Sequence, residues 1–255
     1  MIYHCIDFAA VVAIAQAAGA AIMNIYDSDF EVQTKGDDSP LTCADRAAHQ
    51  IITEGLVALT PNLPILSEEG RDIPYSERRD WPRFWLVAPL AGAKEFIKRN
   101  GEFTVNIALV EEGAVRAGVV HVPALGKTYI GLAQQGAWLQ QDDKEPGAIR
   151  VRCSDLQRGL SVVMSRSHPS PELEEYLQTV KVAEAVSVGS SLKLCTVAEG
   201  QADLYPRLGP TMEWDTAAGQ ALVEAAGGSV TTLAGDPLRY NKESLLNPHF
   251  IVRGQ

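Results

Sequence analysis

From Thr104 to Leu139 the chain reads TVNIALVEEGAVRAGVVHVPALGKTYIGLAQQGAWL, and no other stretch constrains the fold as strongly. Its β-rich runs are separated by EEG, PALG and QQG, a texture that predicts an antiparallel meander. Ahead of it, residues 6–26 read as a long Ala-rich helix. Leu41–Leu59 reads as a second, with Ile51, Ile52, Leu56 and Leu59 at helical spacing and the polar loop TKGDDSP between the two. PILSEEG, from Pro64 to Gly70, reads as a short strand ending in acids, and Trp81–Leu90 as another strand. After the polar segment QDDKEPGA the pattern alternates: LSVVMS a strand, PELEEYLQTV a helix, VAEAVSVG a strand, SSLKLCTVAEGQA a helix, DLYPRL a strand. EWDTAAGQALVEAAGG is then a helix ending at Gly227-Gly228, with short strands beyond it. The chain is therefore expected to be α+β, one unit of two lobes: 1–145 around an antiparallel sheet and 146–255 of α/β character.

Composition excludes several classes. With 46% apolar and 21% charged residues the chain reads as globular, and 22 Lys+Arg against 32 Asp+Glu leave a net charge of −10. Such a field repels a nucleic-acid polymer. An anionic small molecule would need local help from cations, helix N-termini or a metal. Cys5, Cys43, Cys153 and Cys195 lie far apart with no CxxC pair, which argues against a disulfide framework and a zinc knuckle and fits reduced thiols in the cytoplasm. The N-terminus lacks a basic n-region and is interrupted by His4 and Asp7, so it reads as a helix rather than a signal peptide. No run reaches the roughly 18 apolar residues of a membrane span.

The candidates for chemistry are acids at the edges of regular elements: Asp45 in LTCADRAA, Glu68 and Glu69 in LSEEG, and Asp215 in EWDTAAG. Taken singly, Asp215 reads as a helix N-cap and the Glu pair as a solvated turn. SRSHPS, with Ser165, Ser167 and His168, lacks the GxSxG context of a serine hydrolase. VGSSLK lacks Walker spacing, yet a helix starting at Ser190 or Ser191 with Lys193 in its first turn can hold a phosphate. KEFIKRNGEF gathers Lys94, Lys98 and Arg99 beside Ala88-Pro89-Leu90-Ala91-Gly92-Ala93, a loop at a strand end with no chemistry on it.

In order along the chain, SPLTCADRAAHQII, PILSEEG, WLVAPLAGAKEFIKRNGEFTVNIAL, SRSH, VGSSLK, AEGQADLYPRLGPTMEWDTAAG and LNPHF resemble the lithium-sensitive, magnesium-dependent phosphatases of the inositol monophosphatase superfamily. KEFIKRNGEFTVNIAL is most similar to the bacterial CysQ-type 3′(2′),5′-bisphosphate nucleotidases. The resemblance covers nearly the whole chain. It implies the sugar-phosphatase fold, a layered αβαβα arrangement with the active site between the lobes. It also implies Mg²⁺ as cofactor, 3′-phosphoadenosine 5′-phosphate as substrate and a cytoplasmic location, with peripheral association at the inner membrane a variant of it.

In the family the depleted loop reads Asp-Pro-Leu/Ile-Asp-Gly-Thr, whereas Ala88, Ala91 and Ala93 stand here at the two Asp and the Thr. The resemblance makes Glu68, the side chains expected at 88 and 91, the Leu90 carbonyl and Asp215 the metal cage. Mg²⁺ takes hard oxygen ligands, and two such ions about 4 Å apart hold the attacking water and leaving oxygen of an in-line displacement. Asp45 would polarise the hydroxyl expected at 93, which orients that water. The phosphate would rest on the N–H groups of Gly92 and Ala93, with Glu68, Leu90, Ala91 and Asp215 bordering the substrate. Ser190, Lys193, His168 and Arg207 would contact the second phosphate and nucleoside. Three alanines in an otherwise intact motif imply a folded chain with little or no activity, engineered or a natural pseudoenzyme. A non-catalytic nucleotide-binding protein and an inositol or sugar monophosphatase are the alternatives.

Overall fold

The computed structural model of the chain describes residues 1–28, 39–165 and 171–255. Short strands β1 (Ile2–Tyr3) and β2 (Ile6–Asp7) pair antiparallel ahead of α1 (Phe8–Tyr26) and α2 (Pro40–Leu59). The Asp7 carboxylate accepts the Ala9 N–H at 2.9 Å and caps α1, so the helix begins two residues later than the periodicity predicts. Ser39 caps α2 by accepting from the Thr42 N–H at 3.2 Å, with Pro40 at the first turn, where its missing N–H costs nothing.

Next come β3 (Ile65–Ser67), α3 (Tyr75–Arg78), β4 (Arg83–Ala91), α4 (Ala93–Ile97), β5 (Thr104–Glu111), β6 (Ala114–Val122), β7 (Lys127–Leu132), β8 (Gly136–Gln141) and β9 (Gly147–Ile149). These seven strands form one sheet in chain order. It is antiparallel as the meander predicts, except that β3 lies parallel to β4. Strand β10 (Leu160–Ser165), helix α5 (Pro171–Leu177), strand β11 (Val182–Val188), helix α6 (Leu192–Ala198), strand β12 (Leu204–Arg207), helix α7 (Glu213–Ala225) and strands β13 (Ser229–Thr232) and β14 (Phe250–Arg253) complete the chain. Their sheet has the order β11-β10-β12-β14-β13, parallel around β10 and antiparallel at the β14 side.

Strand alternation sets the layers. Trp85 and Val87 of β4 and Ile107 and Leu109 of β5 pack with Phe8, Val11, Ile22 and Ile52 of α1 and α2. Their neighbours Leu86, Ala108 and Val110 face the other way, into a core shared with Leu194, Ala218 and Leu222 of α6 and α7 and with Tyr205, Phe250 and Val252 of the second sheet. Tyr176 and Leu177 of α5 cover the far face of that sheet at Leu160 and Ile251. The result is helix, sheet, helix, sheet, helix. With both faces of β4 and β5 covered, these strands are near-continuous apolar runs, each fully buried large side chain contributing about 1.5–3 kcal/mol. At Gly118 a Cβ would stand 2.5 Å from the Ala218 carbonyl oxygen, so the bare backbone there lets α7 lie directly on β6.

One helix departs from expectation. Among the described residues, α1 is long and apolar enough to cross a bilayer by length and composition, although no such run is expected from the sequence. His4 and Asp7, the polar residues that break up the N-terminal run, precede the helix, and its Phe8, Val11, Ala15, Ala18 and Ile22 stripe is buried on the first sheet. The four cysteines are free, and only Cys195 is buried.

His121 on β6 is buried with its Nδ1 2.9 Å from the Thr128 hydroxyl, and burial pushes its pKa down to about 4. The unfolded chain takes up that proton near the ordinary value and the folded chain does not. Stability is therefore full above pH 6.5 and lost as pH falls toward 4, by about 3 kcal/mol from this one group. Urea unfolding at pH 7 and pH 4 should show a loss smaller by about that amount in His121→Gln than in the parent.

Candidate functional site

The C-terminal end of β4 meets the start of α7, and β3 lies beside β4. Ser67 of β3 pairs in register with Val87 of β4, and the Glu68 N–H donates to the Val87 carbonyl at 3.1 Å, which brings exposed Glu68 beside Ala88. On the other side of β4, Leu86 faces Ala108 and, two residues on, Ala88 faces Asn106. Both pairs therefore point toward α7, since side chains two apart share a face. A register shift follows, and Ala91 pairs with Thr104. Gly92 then turns the chain with φ 100° into the five-residue α4. A Cβ there would stand 3.0 Å from the Ser190 Cβ and 3.2 Å from the Phe103 Cα, so only glycine allows this approach.

Of the residues singled out in the sequence, Ala91, Gly92, Ser190, Lys193, Arg207 and Asp215 line a single cavity of about 250 Å³. Ser165 lines it as well. Ala88 is fully buried beneath it, while Leu90 points into the opposite core with α1 and α2. Asp45 on α2 and Ala93 on α4 belong to two helices packed on one another, and neither lines the cavity. Ser167 and His168 lie outside the described residues.

Two local expectations are corrected. Asp215 is the third residue of α7 rather than its N-cap: the cap is Met212, whose N–H donates to Asp215 Oδ2 at 2.9 Å. The helix after VGSSLK begins at Leu192, with Ser191 as cap and Ser190 in the left-handed region at φ 48°. The Ser190 hydroxyl donates to the Ala91 carbonyl at 2.9 Å, so its one proton serves the main chain rather than a ligand.

Two cations, Lys193 and Arg207, line the cavity together with the acids Glu95 and Asp215. Lys193 is 7% exposed, and its ammonium stands 5.7 Å from the centre of the Tyr205 ring. Burial and then Arg207 push it down to about 8, and Glu95, Asp215 and Glu102 only partly oppose this. No carboxylate among the described residues comes within ion-pair distance of it. Arg207 donates to the Pro210 carbonyl at 2.7 Å and keeps a buried Nε with no protein partner. Burial raises the Asp215 carboxyl, while the Met212 N–H, Arg207 and Lys193 pull it back.

A metal ion is a different matter. Mg²⁺ is held by several oxygen ligands in near-octahedral array. Among the described residues no group of three or more His, Cys, Asp or Glu side chains stands close enough to hold an ion. Ala88 and Ala91 offer no side-chain oxygen, and one Asp215 oxygen is engaged by Met212. The residues present do not fit the two-metal cage. Residues missed in the sequence reading are Glu95, buried and lining the cavity, and Thr104 and Asn106, which face Ala91 and Ala88 across the β4–β5 ladder. Their signal was available in TVNIAL: two polar residues, i and i+2, on one face of an otherwise apolar strand.

Comparison with known proteins gives this arrangement its context. The inositol monophosphatase family model matches residues 3–252. The chain is 53% identical over 245 residues to the 3′(2′),5′-bisphosphate nucleotidase CysQ of Salmonella typhimurium (strain LT2), covering 94% of this chain and 96% of that protein. It is 51% identical over the same length to the CysQ of Escherichia coli (strain K12). Its structure is similar to that of CysQ from Bacteroides thetaiotaomicron, a bacterial member of the inositol monophosphatase family, with a TM-score of 0.86, 43% identity and 96% of each chain covered.

Proposed function

The chain belongs to the inositol monophosphatase family, and from that premise we propose that it is a 3′(2′),5′-bisphosphate nucleotidase scaffold that binds 3′-phosphoadenosine 5′-phosphate while alanines at 88, 91 and 93 suppress its hydrolysis to AMP and phosphate. The observation that carries the reading is the cavity beside Gly92. Its cations Lys193 and Arg207 are in place, and its carboxylate cage is not. A buried ammonium with no paired carboxylate gains most from an anionic ligand. In this reading Lys193 and Arg207 take one phosphate, the Gly92 and Ala93 N–H groups take the other, and Asp45 lies behind position 93. Glu68 and Asp215 are what remains of the Mg²⁺ cage. Four unbridged cysteines support a reducing, cytoplasmic setting.

Calorimetric titration of the unmodified chain with 3′-phosphoadenosine 5′-phosphate, in the absence of metal, tests this reading. Lys193 is cationic below about 8 and neutral above it, so affinity should fall as pH rises, by about tenfold between pH 7 and pH 9. Lys193→Met should abolish that dependence. Inositol 1-phosphate, with one phosphate and no base, should bind more weakly. No saturable nucleotide binding at pH 7, or equal affinity for the two ligands, refutes the proposal.

A further inference from the structure

Behind the Ala88–Ala93 loop runs a chain of hydrogen bonds whose direction follows from the donors alone. The Ser190 hydroxyl donates its only proton to the Ala91 carbonyl at 2.9 Å, because a carbonyl can only accept. Between Thr104 Oγ1 and Ser190 Oγ, 2.8 Å apart, Thr104 must then be the donor. Thr104 in turn receives the Asn106 amide N–H at 3.1 Å. The amide orientation is thereby set by the network, and Asn106 Oδ1 is left as a buried acceptor with no hydrogen-bond partner in the protein. Thr104 is fully buried and Asn106 is 1% exposed. An unsatisfied acceptor in such a place costs stability, and an apolar side chain of similar size would avoid it.

We propose that Asn106 and Thr104 are positioning residues: through Ser190 they hold the Ala91 carbonyl and so fix the Gly92–Ala93 turn in the cleft. Two observations converge on this. The relay ends on the carbonyl directly before Gly92, and Gly92 itself packs against Ser190 so closely that no side chain fits between them. The turn is thus gripped on both sides of its left-handed residue. In the nucleotidase reading the Gly92 and Ala93 N–H groups take a phosphate, so the relay's effect is on geometry at the reacting end rather than on overall binding. Its catalytic consequence rests on the nucleotidase reading; its structural consequence does not.

Two measurements separate these. In the unmodified chain, amide hydrogen exchange at Phe96, whose N–H donates to the Gly92 carbonyl at 2.9 Å, should speed up about tenfold in Thr104→Val and stay within about twofold of the parent in Thr104→Ser, which keeps the hydroxyl. Asn106→Leu should speed exchange at the same amide while melting no lower than the parent. In the chain carrying Ala88→Asp, Ala91→Asp and Ala93→Thr, Thr104→Val should lower kcat about 100-fold with KM within about threefold, and Thr104→Ser should recover most of it. Equal exchange in the Val and Ser variants, or an Asn106→Leu chain that melts lower with unchanged exchange, overturns the proposal. If exchange behaves as expected and the restored chain releases no phosphate, the relay stands and the nucleotidase reading falls.

Discussion

Reversion of Ala88→Asp, Ala91→Asp and Ala93→Thr together is expected to raise Mg²⁺-supported phosphate release from 3′-phosphoadenosine 5′-phosphate by about 10⁴-fold or more over the unmodified chain. The physical reason lies in what surrounds those positions. Ala88 is fully buried opposite Asn106, Glu68 is tied to the adjacent strand by its N–H on the Val87 carbonyl, and Asp215 reaches in from the first turn of α7. Carboxylates at 88 and 91 would join Glu68 and Asp215 in a cluster of four acids. Like charges so close repel, and burial already raises the Asp215 carboxyl. The reverted chain should therefore melt at a lower temperature than the parent without metal and recover with Mg²⁺, because only the folded state binds the ion. The parent should show no such response. A reverted chain that gains metal-dependent stability and still leaves the nucleotide intact removes the nucleotidase reading. One that hydrolyses inositol 1-phosphate faster than the nucleotide shifts it to the monophosphatase alternative.

Arg78→Ala and Glu213→Ala are each expected to destabilise the chain by about 3–5 kcal/mol, the range for removing one partner of a buried charge network. Glu213 opens α7 with no exposed surface, and accepts the Asn241 N–H at 2.7 Å, the Lys242 N–H at 3.0 Å and the Lys242 ammonium at 2.5 Å. Arg78 at the end of α3, 3% exposed, donates to Asn241 Oδ1 at 2.9 Å and to the carbonyls of Lys242 and Glu243 at 2.7 and 2.9 Å. The two charges hold one loop, residues 239–243, from opposite sides. Without Glu213 two main-chain N–H groups lose their acceptor and the Lys242 ammonium keeps only the Arg239 carbonyl; without Arg78 three acceptors lose their donor. At roughly 2–4 °C per kcal/mol for a chain of this size, either variant should lower the melting temperature by about 6–20 °C. A drop below about 2 °C would mean that the loop is held by other contacts. Because Glu213 precedes Asp215 by two residues in the same turn, its loss should also disturb the cavity.

Much of the architecture was legible in the chain. The β5–β8 meander, the strand ending at the loop of alanines and the alternation of strand and helix after Leu160 all rest on local periodicity, which the tertiary structure had no reason to override. The family and its layered fold were legible for a different reason, an ordered series of motifs whose spacing along the chain is kept. The misreadings were local. Periodicity starts helix α1 at residue 6 because an apolar Ile6 looks the same in a strand pair as in a first turn. Asp215 reads as a cap because aspartate suits both places: at the cap it accepts an N–H of the first turn, and at the third position it accepts the cap residue's own N–H.

What the amino-acid order by itself determined is the set of elements and the depletion of one loop, since periodicity and the identity of residues 88, 91 and 93 are properties of the chain alone. Which residues share the cavity was decided only by the tertiary structure. Ala91 on β4 lies far in the chain from Lys193, Arg207 and Asp215 on the consecutive elements α6, β12 and α7, and their meeting depends on how α6 and α7 are sandwiched between two sheets. The same packing decided that Lys193 is buried and its pKa lowered, and that Ser190 turns its proton inward to Ala91. Burial and hydrogen-bond direction are set by neighbours distant in sequence, and no local pattern carries them.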